Sequence, residues 1–415
     1  MPSSTPDWSA LASQNERLVT AMPPAPAGGS SPASGPPSRP AGRGGHRAGR
    51  RGLWTRRATR GAVTSVAAIV ATAGLAATSA IAATPQAPSW QIVKRIHGGS
   101  AGQVTAVVAA GRNSGWAFEG LLSPAAWKRS GATWTKVAFP ATHGDAVIAA
   151  RASSASNVWA FTGGPARSRA MRWNGRHWRT VRTFARQVGG AAVISRSDVW
   201  VFGEPVVPGA GLGTWHYNGH SWKKVSAGHG LQGGSALSAS SIWAFGGATV
   251  AHWNGHTWKR SSVRGLLPAH TTLNDPAVMA IYARSRDSVF AVANGNAQDD
   301  GGPLVVLHYN GRSWSKAAQA SSARFPGSDV LGQVASDGHG GLWIPVPGNS
   351  GADSHLVHYS RGHLTAAALP VTASKISVLA VAAIPHTSQA LAAGFTHAAG
   401  NLGSKVTGVI LRFQG

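Results

Sequence analysis

The sequence predicts an all-β fold: a seven-bladed β-propeller of four-stranded antiparallel blades, closed by an N-terminal strand that completes the last blade. Three observations carry this. A run similar to V-W-A-F-G recurs at anchors 116, 159, 200, 243, 290, 343 and 391, so neighbouring copies lie 41 to 53 residues apart. Between successive anchors lies a hairpin motif of the form aromatic-Asn-Gly-x-x-Trp. The resulting four short strands per roughly 45 residues is the pattern of a propeller blade.

The elements follow in order within each repeat. A small apolar strand opens it, as at 104–110, 147–152, 191–195 and 378–383. Its small side chains suit the crowded centre of a ring. The second strand carries the anchor, clearest in Asn157-Val158-Trp159-Ala160-Phe161, Asp198-Val199-Trp200-Val201-Phe202-Gly203 and Ser241-Ile242-Trp243-Ala244-Phe245-Gly246. Its rings fill the wider space between diverging sheets. The third strand ends at an aromatic residue and the fourth begins at Trp, as in Trp173-Asn174-Gly175-Arg176-His177-Trp178, Tyr217-Asn218-Gly219-His220-Ser221-Trp222, Trp253 to Trp258 and Tyr309 to Trp314. Asn-Gly between two strands is a strong hairpin signal, because a two-residue type I′ turn needs φ > 0 at both central positions. That turn pairs Tyr217 with His220 and Trp215 with Trp222, placing the large rings on one face and His216 on the other.

The ends of the repeat region are complementary. Trp90-Gln91-Ile92-Val93-Lys94 reads as a fourth strand without its first three. Val409-Ile410-Leu411-Arg412-Phe413-Gln414-Gly415 stops at a third strand. Joining them removes exposed sheet edges without a disulfide, which suits a chain with no Cys.

The remaining organisation follows from composition. The chain has 415 residues and a formal net charge of +25, although only 12% of its residues are charged. Residues 1–60 form a Pro/Gly/Ser/Arg-rich basic tail with too little apolar surface to offset its ordering entropy. The uncharged run 61–83 follows Arg50, Arg51, Arg56, Arg57 and Arg60 and is long enough to cross a hydrocarbon core of about 30 Å. It reads as a signal peptide or an uncleaved signal-anchor helix, with an A-x-A site at Ala80-Ile81-Ala82. Gly49-Arg50-Arg51-Gly52-Leu53-Trp54 resembles a twin-arginine export signal. Residues 84–89 are a linker and 90–415 the propeller. The expected location is outside the cell, or the outer face of the plasma membrane if the segment is retained.

Ser197-Asp198-Val199-Trp200-Val201-Phe202-Gly203 followed by His216-Tyr217-Asn218-Gly219 resembles the repeat of secreted actinobacterial propeller proteins, within the wider kelch and galactose-oxidase-like class. The Gly163-Gly164 and Gly246-Gly247 doublets are similar to those of kelch repeats. The resemblance spans 90–415 and implies an exported interaction module. The copper radical site of galactose oxidase is not implied, because that site needs a Cys-linked Tyr.

Candidate sites are few. Arg167, Arg169, Arg172, Arg176, Arg179, Arg182 and Arg186 crowd the second blade, and alternate members on a strand would present a basic stripe to a polyanion. The loop with Asn294, Asn296, Asp299 and Asp300 offers oxygen ligands at a spacing open to Ca²⁺, with a solvated turn as the simpler reading. His216, His252, His308 and His358 recur at one repeat position. Equivalent positions in adjacent blades lie on the order of 15 Å apart, given strands ~4.8 Å apart that fan outward from an axis. That is too far to share a metal. No cofactor and no specific nucleic acid are expected. The composition favours a non-catalytic binding module for an envelope polysaccharide, an anionic polymer or a protein. The alternatives are a secreted carbohydrate-active hydrolase or lyase, and a membrane-anchored sensor or assembly factor. The wider spacing after anchors 243 and 290 points to blades four and five for specific contacts.

Overall fold

The computed structural model describes residues 89–97, 102–120, 124–142, 145–163, 167–203, 211–228, 230–269, 276–294, 302–325, 333–348, 354–372, 374–398 and 406–415. Residues 1–88, with the basic tail and the 61–83 segment, lie outside them, as do Asn296, Asp299 and Asp300. No helix among the described residues is long and apolar enough to cross a membrane.

Among the described residues twenty-eight strands form seven four-stranded antiparallel sheets. The first strand, β1 (Ser89–His97), is followed by blade one: β2 (Val104–Gly111), β3 (Ser114–Glu119), β4 (Ala126–Ser130) and β5 (Thr133–Val137). Blade two is β6 (Ala146–Ser154), β7 (Asn157–Gly163), β8 (Ser168–Trp173) and β9 (Trp178–Phe184). Blade three is β10 (Gly190–Ser195), β11 (Asp198–Phe202), β12 (Thr214–Tyr217) and β13 (Trp222–Val225). Blade four is β14 (Gly233–Ser238), β15 (Ser241–Gly246), β16 (Thr249–Trp253) and β17 (Trp258–Ser262). Blade five is β18 (Ala277–Ser285), β19 (Ser288–Asn294), β20 (Leu304–Tyr309) and β21 (Trp314–Ala320). Blade six is β22 (Ala335–Ser336), β23 (Leu342–Val346), β24 (His355–Ser360) and β25 (His363–Ala366). The last sheet holds β26 (Lys375–Ala383), β27 (Ala390–His397) and β28 (Thr407–Gln414), with β1 paired antiparallel to β28 from Ser89↔Gln414 to His97↔Thr407.

Seven apolar clusters hold the ring, each joining two neighbouring blades. Their centres are the second-strand rings: Trp116, Phe118, Trp159 and Phe161 are wholly buried. Each such ring withdraws about 150–250 Å² from water, roughly 4–6 kcal/mol by area as an upper estimate. Rings from adjacent blades meet edge-on, as Trp116 does with Trp178 at 5.0 Å and Trp243 with Trp314 at 5.7 Å.

The hairpin between third and fourth strands differs in register from the type I′ expectation. Tyr217 pairs with Trp222, and His216 with Lys223. The Asn218 side chain explains the shift. Its Oδ1 accepts the backbone N–H groups of His220 (3.0 Å) and Ser221 (2.9 Å), and this Asx turn spreads the loop over four residues. Only the glycine then needs a left-handed backbone, with Gly219 at φ +96°. It packs on Ser197 of the neighbouring turn, where an added Cβ would lie 2.7 Å from the Ser197 Cβ. The large rings keep their common face: Trp215, Tyr217 and Trp222 join Trp159 of blade two. His216 looks the other way.

Candidate functional site

Antiparallel registry places one second-strand residue and one third-strand residue opposite each other in every blade: Trp116–Lys128, Trp159–Arg172, Trp200–His216, Trp243–His252, Phe290–His308, Trp343–His358 and Leu391–Arg412. Where the third-strand residue is His, its ring stacks on the aromatic at 4.2–4.6 Å between centroids. The histidine Nε2 meets an oxygen of its own sheet: Asp198 Oδ1 for His216 (2.9 Å), Ser241 Oγ for His252 (3.2 Å), Ser288 Oγ for His308 (3.1 Å) and Asp337 Oδ2 for His358 (2.9 Å). Burial lowers the pKa of His252, and burial with the nearby Arg284 lowers that of His308, which favours the neutral imidazole in both. The repeated histidines bind their own blades. Among the described residues no three His, Asp or Glu gather as a metal site.

The arginine run of blade two is dispersed by its strands. Arg169 pairs with Asp145 and also donates to Thr142 Oγ1. Arg172 lies over Trp159 at 5.8 Å, while Arg182 lies over Trp215 at 4.4 Å and Phe184 at 5.3 Å. Arg172 is directly opposite Arg179, and a bulge between Ala170 and Met171 brings Arg182 to the same face. The structure therefore brings Arg172, Arg179 and Arg182 together facing blade three. Burial lowers the Arg172 pKa, and Arg179 and Arg196 lower it further, against an opposing effect of Tyr217. Arg167 is exposed ahead of β8, Arg176 sits in the hairpin turn, and Arg186 is exposed beyond β9. Asn294 ends β19 as a buried residue whose Oδ1 has no partner among the described residues.

The run in blade two is one part of a larger distribution. The first strands carry three Lys or Arg (Arg151, Arg284, Lys375) and the second strands none. The third strands carry five: Lys128, Arg129, Arg169, Arg172 and Arg412. The outermost strands carry ten: Lys94, Arg95, Lys136, Arg179, Arg182, Lys223, Lys224, Lys259, Arg260 and Lys316. No Asp or Glu lies on any outermost strand. The five described carboxylates sit inside the blades or at their turns. Glu119 accepts the Trp127 indole N–H (2.5 Å), Asp145 holds Arg169, and Asp198 and Asp337 hold histidines. Asp287 lies under the Gly311 turn. Lysines on edge strands also discourage sheet-to-sheet aggregation, but an acid would serve that purpose equally well.

Between blades four and five the rim opens into a cavity of about 510 Å³. Trp243, His252, Lys259, Ser261 and Ser262 line one side, and Tyr309, Arg312, Ser313 and Trp314 the other. Among the described residues no carboxylate lines it.

No protein-family model matches the chain, and no curated protein matches its sequence. Its fold is shared with solved propellers. It is similar to YCF48 bound to D1 peptide, with a TM-score of 0.50 and 12% identity over 79% of this chain and 97% of that one. The RRP9 WD40 repeats give a TM-score of 0.51 with 13% identity, covering 79% and 99%. The Cps50 (Swd1) β-propeller domain of Myceliophteria thermophila gives 0.52 with 12% identity, covering 77% and 99%. The chain is thus a seven-bladed β-propeller. At these identities the likeness extends to the fold alone.

Proposed function

We propose that this protein is an exported, non-catalytic interaction module that binds an anionic polymer or glycan of the cell envelope along its basic outer rim. The observation that carries the reading is the radial sorting of charge, with ten cations and no acid on the outermost strands. Such a rim presents positive potential at the outer edge of every blade but the sixth, whose outermost strand has no Lys or Arg, and attracts polyanions over the range of a Debye length. The Arg-flanked apolar run at 61–83 supports export, and so does the repeat's resemblance to secreted kelch-like propellers. An acidic protein surface would use the same rim, and YCF48 bound to D1 peptide is a propeller that holds a peptide.

The test is retention of the chain on immobilised heparin and polyglutamate as salt is raised. The reading expects retention at about 50 mM salt that is lost steeply toward about 0.5 M. No retention at low salt, or retention indifferent to salt, overturns it.

A further inference from the structure

The cavity between blades four and five combines charge with shape. Its floor is aromatic: Trp243, Tyr309 and Trp314 meet at 4.9–5.7 Å between centroids. These rings are inclined by 41° to 81° to one another, so no parallel pair stands ready to sandwich a flat base. Trp314 and Tyr309 are half-buried and Trp243 is buried. Hydroxyls of Ser261, Ser262 and Ser313 and the imidazole of His252 surround that floor. Lys259 and Arg312 stand at the edge, exposed, and their side chains have no ion-pair partner among the described residues.

The floor of the cleft differs in one respect from that of blade three, a respect it shares with the second-strand Trp116, Trp159 and Trp343, whose indole N–H groups also have no partner among the described residues. In blade three the Trp200 indole N–H donates to Asp198 (3.0 Å). Blade four has Ser241 at that position, and the Ser241 hydroxyl is engaged with His252. The buried indole N–H of Trp243 is left with no partner among the described residues. An unmet buried donor is costly.

We infer that this cleft is a subsite for one pyranose unit bearing a single anionic group, carboxylate or phosphate, within a glycan held along the rim. A sugar ring presents C–H faces to tilted aromatics and hydroxyls to the serines, while its anion meets Lys259 and Arg312. The volume lies within the range of about 300–1,000 Å³ typical of small-ligand sites. The inference rests on the rim reading for the polymer and adds to it a preference for sugar.

The experiment uses the full chain and four probes in calorimetry and tryptophan fluorescence: a galacturonate tetramer, glucose 6-phosphate, a neutral hexose tetramer, and polyglutamate as a polyanion without sugar rings. The subsite predicts that galacturonate or glucose 6-phosphate binds and perturbs indole emission, and that the neutral tetramer does not bind. Whichever anionic sugar binds more tightly identifies the anion. Lys259→Gln and Trp314→Phe should each weaken that sugar about tenfold. Trp314→Phe should leave polyglutamate binding within about twofold, and Lys259→Gln should weaken it only as much as Lys316→Gln does, the share of one rim charge. Lys316→Gln, on the rim but outside the cleft, should leave sugar binding intact. The inference is overturned if neither anionic sugar binds, or if the cleft variants weaken sugar and polyglutamate alike. Binding of sugar without binding of polyglutamate keeps the subsite and discards the rim reading.

Discussion

His358 holds Asp337 through a 2.9 Å contact between Nε2 and Oδ2 while the imidazole stacks 4.2 Å from Trp343. Asp337 Oδ1 also accepts the backbone N–H groups of His339 (2.7 Å) and Gly341 (2.8 Å), so one buried carboxylate ties the turn to the third strand of its blade. Burial alone would raise its pKa, but these hydrogen bonds bring it below the ordinary value.

Asp337→Asn should therefore destabilise the propeller by about 1–3 kcal/mol at pH 7, since the substitution replaces a charged acceptor among three donors. The sign of the pH effect follows from the depressed pKa. The stabilisation is present at neutral pH and is lost as pH falls through the acid range below about 4. Thermal melts across that range should show a steeper acid decline for the parent chain than for the variant.

A second pH limb comes from His252 and His308, whose pKa values lie below the ordinary 6.5 in the folded chain. The unfolded chain takes up protons first, so stability is full above about pH 6.5 and declines as pH drops below it. His252→Gln should flatten that decline. An unchanged slope between pH 7 and 5 in calorimetric melts excludes the assignment.

Gly219→Ala should cost about 1–2 kcal/mol, because Ala pays for φ +96° and its Cβ also meets Ser197. Gly131→Ala is the informative partner. Gly131 has φ +62° with nothing within 4 Å of an added Cβ, so that variant should lose only the backbone part, about 1 kcal/mol. Urea midpoints of the two variants should differ in that order.

Much of this architecture was legible in the repeats. Trp200, Trp243 and their counterparts mark the second strands, and Trp222, Trp258 and Trp314 open the fourth. The hairpin register was missed by two residues, which keeps the faces, because a type I′ turn and an Asx turn share the Asn-Gly pair, and only the side-chain bonds of Asn218 separate them. The partners of the histidines had a signal in Asp198, Ser241 and Ser288, two residues before each anchor. Asp337 departs from that spacing because the first strand of its blade is only Ala335–Ser336. The arginine run of blade two drew attention by density, whereas the rim is written more quietly in Trp178-Arg179, Trp222-Lys223-Lys224 and Trp258-Lys259-Arg260. The cleft had no local signal, since Trp243 and Trp314 come from different blades and meet only when the ring forms.

The decisive observation on the rim is the dependence of polyanion affinity on salt. Arg179→Gln, Lys223→Gln and Lys259→Gln combined should lower the slope of log affinity against log salt by about three, close to one per cation removed. Arg286→Gln, Arg324→Gln and Arg361→Gln combined remove the same charge from exposed positions off the outermost strands and should leave the slope nearly unchanged. Equal losses in the two triple variants would show that net charge, rather than the rim, attracts the polymer.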